Sequence, residues 1–384
     1  MLLGIAGQAD GAAPVAWPAT AEAWTSLIGQ ALAHGVAALL CRRLLQAPAG
    51  SLAGTLPDDI AAAACAYLGE HEVAVAASIG QLADVLAALE AAGVPALPFK
   101  GPVFAAQAYG DPAARVSADL DLLIRPAQIA PALAVLDGLG YRSGVADLPP
   151  RRLRDYHRYN GQDVLVAPGL LAVEPHWALA PRTLGVALDT APFWLRARPI
   201  GLHGHSLPCL SPEDALLVAC LHGGKEEWSR LIWIADVAAL LRRHPALDTA
   251  AVLRRASEAG LRRMVLLGLR LAADLLAAPL DQAMREAIAA DPVTLRLADR
   301  VRMRLFAGGT ESASVFRFTG FRWMLRERWA DRLRYLAGTL LTARVAHFRS
   351  VDLPDALAFL YPAVRLGHDF VALPLWKALR PRQP

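Results

Sequence analysis

The sequence predicts an α+β protein in which a small mixed sheet is flanked by N-terminal and C-terminal α-helical regions. Apolar residues recur at spacings of three and four through residues 20–92, and again from Pro212 towards the C-terminus, which is the helical pattern. Between these regions the chain changes to short apolar runs separated by Gly and Pro. Their order is strand, helix, strand, helix and hairpin, which predicts a compact α/β unit with a mixed sheet.

Length and composition support a division into parts. A chain of 384 residues is too long for one small domain. Hydrophobic residues make up 55% and charged residues 19%, which provides buried cores and argues against intrinsic disorder. We divide the chain into an N-terminal helical region (residues 1–92), an α/β core (93–190) and a C-terminal helical domain (191–384).

The N-terminal region is predicted to contain four helices, at residues 22–33, 36–45, 58–68 and 72–92. The core is predicted to contain strands at residues 94–99, 119–124, 162–166 and 170–174, and helices at residues 103–109 and 126–139. Ala-Pro-Gly joins the last two strands as a hairpin. Ser211-Pro-Glu-Asp is an N-cap with acids in the first turn, and Gly223-Gly224 predicts a bend in the helical region that follows.

Charge, cysteines and the N-terminus limit the class of protein. The net charge of +4 is too small to imply a nucleic-acid partner, and no dense basic and aromatic surface is visible. The four cysteines form no Cys-x-x-Cys pair, and three of them lie in apolar context that is typical of small core residues. The start of the chain, MLLGIAGQADGAAP, lacks a basic n-region, and no run of about 18 apolar residues occurs. We therefore expect a cytoplasmic protein without a transmembrane segment.

Two acids on one predicted strand are the main candidates for chemistry. Asp119 and Asp121 are two residues apart, so their side chains point to the same face of the strand. Two neighbouring carboxylates repel each other unless a cation or a proton lies between them. Magnesium is a hard cation that prefers carboxylate and phosphate oxygens. The pair therefore indicates a metal site, and a solvated strand edge is the simpler alternative.

The turn Lys100-Gly101 lies between an apolar strand and the start of a helix. Glycine lets the backbone approach a phosphate closely, and a helix N-terminus favours an anion. Lys100 can neutralise phosphate charge, or it is a surface lysine at a turn. This turn is the candidate phosphate site.

A family resemblance follows from these motifs. Phe-Lys-Gly-Pro (99–102), Ala-Tyr-Gly-Asp-Pro (108–112) and Arg-Val-Ser-Ala-Asp-Leu-Asp-Leu-Leu-Ile (115–124) resemble the polymerase-β nucleotidyltransferase superfamily. Within it, they are similar to a bacterial family of uncharacterised nucleotidyltransferases. Val-Glu-Pro-His-Trp (173–177) and the segment that begins Leu-His-Gly-Gly-Lys-Glu-Glu-Trp (221–228) extend the resemblance to roughly residues 94–240.

The resemblance implies a third metal carboxylate at Glu174 and phosphoryl transfer with two Mg²⁺ or Mn²⁺ ions. A nucleoside monophosphate would pass from an NTP, with ATP the first candidate, to a hydroxyl group of a protein or small molecule, and pyrophosphate would leave. The candidate nucleotide contacts are Lys100, Gly101, Arg115 and Ser117. The candidate substrate contacts are His176, His222 and Lys225.

Several of these residues also have a simpler, structural interpretation. Arg115 can pair with Asp111, Ser117 can stabilise a turn, and His176 can be a hydrogen-bonded structural residue. Pro102 follows the glycine, where the superfamily usually has a serine that contacts phosphate.

Two other functions remain open. One is a non-catalytic module of the same fold that binds a nucleotide or a partner, as a biosynthetic accessory or an antitoxin-like protein. The other is a kinase-like phosphotransferase that uses the same acids, although the chain has no Walker motif or kinase signature.

Overall fold

The computed structural model describes residues 17–46, 56–186, 188–308 and 310–372. The N-terminal sequence that lacks a basic n-region lies outside the described residues. The N-terminal helices are α1 (Ala21–Ala33), α2 (Ala37–Leu45) and α3 (Asp58–Ala91). Two separate helices were predicted within α3, and that division is wrong. The residues between them include Gly69 but no proline, and one glycine costs an Ala/Leu-rich helix only about 1 kcal/mol.

Helix α3 is also the one helix of the described chain whose length and composition would let it cross a membrane. Its run of apolar residues is interrupted by Glu70, Glu72 and Asp84. Its later turns bury a stripe that includes Ile79, Leu82 and Leu89 against the central sheet. The second half of this helix therefore has a packing role in the fold.

The central sheet contains five strands in the order β1-β2-β5-β4-β3. These strands are β1 (Ala96–Pro98), β2 (Asp119–Ile124), β3 (Arg142–Ser143), β4 (Leu165–Val166) and β5 (Ala172–His176). Strands β2 and β5 are parallel, and the other neighbours are antiparallel, so the sheet is mixed. The predicted α+β class, with a small mixed sheet and flanking helices, is confirmed.

Three helices connect these strands: α4 (Gly101–Tyr109), α5 (Ile129–Gly138) and α6 (Pro150–Tyr159). Strand β3 and helix α6 were not predicted, because β3 has only two residues and α6 is mostly polar. Strand β5 continues past the predicted end at Glu174. Pro175 is tolerated there, since its carbonyl still accepts a hydrogen bond from the Asp163 N–H at 3.1 Å.

Side chains on the two faces of β2 pack into different hydrophobic cores. Leu120, Leu122 and Ile124 pack with α3 and α5 on one side of the sheet. Leu123, which points the other way, belongs to the large core built by the C-terminal helices. The face of β2 that carries the two aspartates is therefore the face that the C-terminal helices cover.

The C-terminal part begins with α7 (Ala191–Arg196) and a hairpin of β6 (Arg198–Leu202) and β7 (His205–Cys209), which the helical pattern did not indicate. The further helices are α8 (Pro212–Lys225), α9 (Leu231–Arg243), α10 (Thr249–Glu258), α11 (Arg262–Leu276), α12 (Gln282–Ala289), α13 (Pro292–Phe306), α14 (Gly320–Met324), α15 (Trp329–Leu341), α16 (Val345–Ser350) and α17 (Tyr361–Gly367).

The predicted bend at Gly223-Gly224 is wrong, because α8 runs through both residues to Lys225. The two glycines permit close packing instead. A Cβ on Gly223 would lie 2.5 Å from the Trp228 ring, and one on Gly224 would lie 2.9 Å from the Met264 sulfur. The two glycines are therefore explained by contacts with residues outside the helix. The local sequence does not indicate these contacts.

Candidate active site

The site is built on two parallel neighbours, β2 and β5. In their register Asp121 lies opposite Glu174, and Leu123 lies opposite His176. Residues paired in this way on neighbouring strands point to the same side of the sheet, as do residues two apart on one strand. Asp119, Asp121, Glu174 and His176 therefore share the sheet face that adjoins the C-terminal helices.

Asp121 is the buried centre of this group, with 2% of its surface exposed. Its Oδ1 atom lies 2.7 Å from Lys100 Nζ and 2.9 Å from His176 Nε2. Burial alone would raise the pKa of this carboxyl group. The charge of Lys100 and the contact with His176 outweigh burial and hold the pKa well below its ordinary range. Asp121 is therefore ionised at neutral pH.

Asp119, at the start of β2, shows the opposite shift. Burial and then the neighbouring charge of Asp121 raise its pKa to about 6, and Glu174 adds to the effect. Lys100 and Arg115 lower this pKa but do not cancel the rise. The face that carries Asp119, Asp121 and Glu174, called the acidic face below, therefore has an excess of negative charge that a cation would neutralise.

Glu174 and His176 complete a compact set of possible ligand atoms. The Gln162 amide donates to Glu174 Oε2 at 3.0 Å, and His176 Nε2 lies 3.5 Å from the same oxygen. The ligand atoms of Asp121, Glu174 and His176 all lie within 4.8 Å of one another. The Asp119 side chain is not part of this compact set, although it shares the face.

The donor set fits a divalent cation. The second oxygen of Asp121, Oδ2, is buried and has no hydrogen-bond partner among the described residues. Carboxylate oxygens suit Mg²⁺ and Mn²⁺, and an imidazole nitrogen is compatible with the softer of the two. His176 was predicted to share the face of Glu174 if the strand continued, and the structure places it there, with its ring edge-to-face with Phe99 at 5.0 Å.

The Lys100-Gly101 turn lies next to the acids. Lys100 is the N-cap of α4, and Gly101 has a φ of +66°, in the left-handed region that glycine adopts without strain. The Ser117 hydroxyl lies 3.8 Å from where a Cβ on Gly101 would be. That hydroxyl oxygen is buried and lacks a hydrogen-bond partner in the described part of the chain. The Ser117 hydroxyl therefore lies beside the turn, and the Lys100 ammonium group reaches from the same turn to Asp121.

Arg115 is already engaged. Its Nε atom lies 3.1 Å from Asp236 Oδ2, and the Tyr109 hydroxyl donates to Asp236 Oδ1 at 2.8 Å. The alternative partner predicted for Arg115, Asp111, forms an ion pair with Arg42 instead. Arg115 therefore ties the loop before β2 to helix α9, which carries Asp236.

Arg115→Ala is expected to lower the free energy of unfolding by about 3–5 kcal/mol, because it leaves the Asp236 carboxylate buried without its cation. Denaturation in urea measures the change. The double variant Arg115→Met/Asp236→Leu is the matched control, and we expect it to recover most of the loss. A single variant as stable as the unmodified protein would contradict this role and would favour a contact with nucleotide.

Helix α8 brings His222 towards the same face. Burial lowers the pKa of His222 well below its ordinary value, and the charges of Lys100, Lys225 and Arg115 lower it further. The ring packs edge-to-face with Trp233 at 5.6 Å. Lys225, at the end of α8, lies 3.3 Å from Glu226. His222 is therefore a neutral imidazole near the site, and Lys225 lies one turn further along the helix.

Two residues of this region had no predicted role. Gln162 was assigned only to a strand, and no motif marks it as a neighbour of Glu174. Asp236 was given no role from the sequence, and its ion pair with Arg115 joins residues far apart in the chain. Neither contact leaves a local sequence signal.

A second histidine and aspartate group lies near the C-terminus, where His347, His368 and Asp369 come together. The backbone N–H of Arg344 donates to His347 Nδ1 at 2.9 Å, so the neutral ring carries its proton on Nε2, which faces Asp369 at 3.0 Å. The Arg344 guanidinium also pairs with Asp369. The two histidines and Asp369 are therefore bonded to one another and to Arg344.

A mixed sheet that carries acids on neighbouring parallel strands, beside a Lys-Gly turn and under a helical layer, is the arrangement of a nucleotidyltransferase. The chain belongs to the family described as uncharacterised nucleotidyltransferases, whose model matches residues 20–277. The match includes all the candidate site residues and extends from α1 to the end of α11. The family places the protein among the transferases. No curated protein shows significant similarity to the chain.

Proposed function

We propose that the protein transfers a nucleoside monophosphate from an NTP, with ATP as the first candidate, to a hydroxyl group and releases pyrophosphate. The observation that carries this proposal is the register of β2 and β5, which sets Asp121 beside Glu174 next to the Lys100-Gly101 turn. Three carboxylates on one covered face suit the handling of polyphosphate with divalent cations.

Asp119, Asp121 and Glu174 would hold Mg²⁺ or Mn²⁺, with His176 as an additional ligand or as the group that orients Asp121. A bound ion would neutralise phosphate charge and lower the pKa of the attacking hydroxyl group. Lys100, which is part of the turn, contributes a positive charge beside Asp121. The C-terminal helices that cover this face would exclude bulk water from it.

Ser117 is a further candidate contact for a phosphate oxygen. Pro102 occupies the position after Gly101 and has no hydroxyl group to offer a phosphate. The Ser117 hydroxyl reaches the same turn from the loop before β2, and it is buried without a partner among the residues described. We propose that this hydroxyl contacts a phosphate oxygen in place of the missing serine.

Ser117→Ala is expected to weaken binding of Mg·ATP by about tenfold, since it removes one hydrogen bond to a charged group. Equilibrium dialysis with labelled ATP measures the dissociation constant. Ser257→Ala, which changes an exposed serine on α10, is the control and should leave it unchanged. A Ser117→Ala protein that binds Mg·ATP normally would assign this hydroxyl to the turn alone.

The reaction class is tested with two labels. The full chain is incubated with Mg²⁺, candidate acceptors and ATP labelled either at the α- or at the γ-phosphate. Transfer of α-label with release of pyrophosphate is the expected result. Transfer of γ-label would instead support a kinase-like phosphotransferase. Absence of nucleotide and metal binding would support a non-catalytic module that binds a partner.

The proposal includes a cytoplasmic location. All four cysteines, Cys41, Cys65, Cys209 and Cys220, are free. Free thiols and an NTP substrate both suit a reducing compartment that contains nucleotides.

A further inference from the structure

Lys100 neutralises one of the acids that would bind the metal. Its Nζ atom lies 2.7 Å from Asp121 Oδ1, and the Asp121 side chain is completely buried, so water does not screen its charge. Of the lysines and arginines that the structure describes, Lys100 is the only one that forms an ion pair with an acid of the acidic face. The ammonium group therefore already supplies positive charge at the place where a divalent cation would bind.

A divalent cation and the Lys100 ammonium group would repel each other at this carboxylate. The open oxygen of Asp121 is Oδ2, because Oδ1 already lies within 2.9 Å of both Lys100 Nζ and His176 Nε2. A cation on Oδ2 would lie within a few ångströms of Nζ in a buried environment, where like charges interact strongly. In the free protein, Lys100 is therefore expected to oppose binding of the cation.

A phosphate at the Lys100-Gly101 turn would give the ammonium group a second partner. The lysine is the N-cap of α4, so its own backbone forms the turn, and its flexible side chain is 19% exposed. The helix N-terminus favours an anion here, and the Ser117 hydroxyl, which has no partner among the described residues, lies beside the same turn. The ammonium group can therefore reach a phosphate at its own turn by rotation about its side-chain bonds.

The contrast with Arg115 shows what is particular to Lys100. Arg115 pairs with Asp236, which is not an acid of the acidic face, so that ion pair can persist when a cation binds. The ion pair between Lys100 and Asp121 cannot persist without repulsion, because the same carboxylate would bind the cation. The Lys100 ion pair is therefore suited to exchange, and the Arg115 ion pair to stability.

We propose that Lys100 couples the binding of the divalent cation to the binding of the nucleotide. The inference rests on the proposed function. In the free protein Lys100 neutralises Asp121. When the nucleotide binds, the ammonium group moves to a phosphate oxygen and leaves the carboxylate to the cation. Because such a coupling is reciprocal, the cation strengthens nucleotide binding by the same factor by which the nucleotide strengthens cation binding.

The test compares Lys100→Met with the unmodified full-length protein. Methionine keeps most of the length of the side chain and removes its charge. Arg125→Met is the matched control, because Arg125 is exposed, follows the last residue of β2 and stacks on the Trp194 ring at 5.0 Å. Binding of Mn²⁺ alone is measured by electron paramagnetic resonance. Binding of α,β-methylene-ATP with saturating Mn²⁺ is measured by equilibrium dialysis.

We expect two changes in opposite directions. Lys100→Met should bind Mn²⁺ alone about tenfold more tightly, because the buried Asp121 carboxylate has lost its counter-charge. The same variant should bind the nucleotide analogue about tenfold more weakly, because a phosphate contact is lost. Arg125→Met should change neither. Lys100→Arg keeps the charge and should bind Mn²⁺ alone as weakly as the unmodified protein, which provides a test if Lys100→Met does not fold.

Unchanged or weaker binding of Mn²⁺ by Lys100→Met, or unchanged binding of the analogue, would overturn the coupling. Tighter binding of Mn²⁺ by Lys100→Arg would overturn it as well, since the charge of the side chain would not be the cause. An unmodified protein that binds neither Mn²⁺ nor the analogue would instead overturn the proposed function, so the two failures are distinguishable.

Discussion

Asp121→Asn is expected to lower the rate of nucleotide transfer by about 10³-fold or more. The substitution keeps the size of the side chain and removes its charge. Asp121 is buried and ionised, and it lies between Lys100 and His176 at the centre of the acidic face. A neutral amide at this position provides a much weaker ligand for a divalent cation and leaves Lys100 without its carboxylate partner.

The rate is measured as release of labelled pyrophosphate under saturating Mg·ATP, with circular dichroism to confirm that the variant folds. Asp137→Asn is the matched control, because it neutralises an exposed aspartate on α5 away from the acidic face. We expect full activity from the control. An Asp121→Asn protein within about tenfold of the unmodified rate would remove this residue from the metal site.

The second large effect concerns the packing that holds α8 in place. Trp228 is completely buried, and its ring packs against two glycines. A Cβ on Gly223 would lie 2.5 Å from the ring, and a Cβ on Gly268 would lie 2.7 Å from it. Trp228→Ala is therefore expected to lower the free energy of unfolding by about 3–5 kcal/mol, through lost burial and a cavity that the neighbouring helices cannot close.

Chemical denaturation measures this loss, and Trp329→Ala is the control. Trp329 is 68% exposed, so its removal should cost less than about 1 kcal/mol. Because α8 carries His222 and Lys225, partial unfolding of Trp228→Ala should also weaken nucleotide binding at temperatures where the control is unaffected. Similar losses for the two tryptophan variants would show that this packing does not stabilise the fold.

Much of the fold could be predicted from local patterns. Strand β2 was predicted with its observed bounds, Asp119–Ile124, because alternating acids and leucines are a period-two signal within six residues. The fold class and the family followed from the order of such segments and from motifs that are continuous in sequence. Where local signals were weak, prediction failed: the two-residue strand β3, the polar helix α6 and the hairpin β6–β7 were missed.

Some features of the candidate site could likewise be predicted from local sequence, and others could not. The sequence by itself determined that Asp119 and Asp121 share one face of a strand, that a Lys-Gly turn precedes them and that Glu174 and His176 lie two apart. Only the tertiary structure decided that β5 pairs with β2 in the register that sets Glu174 beside Asp121. It also paired Arg115 with Asp236 and set Gln162 against Glu174. Periodicity and turn chemistry act over a few neighbouring residues, whereas strand pairing and buried ion pairs depend on how segments far apart in the chain pack together.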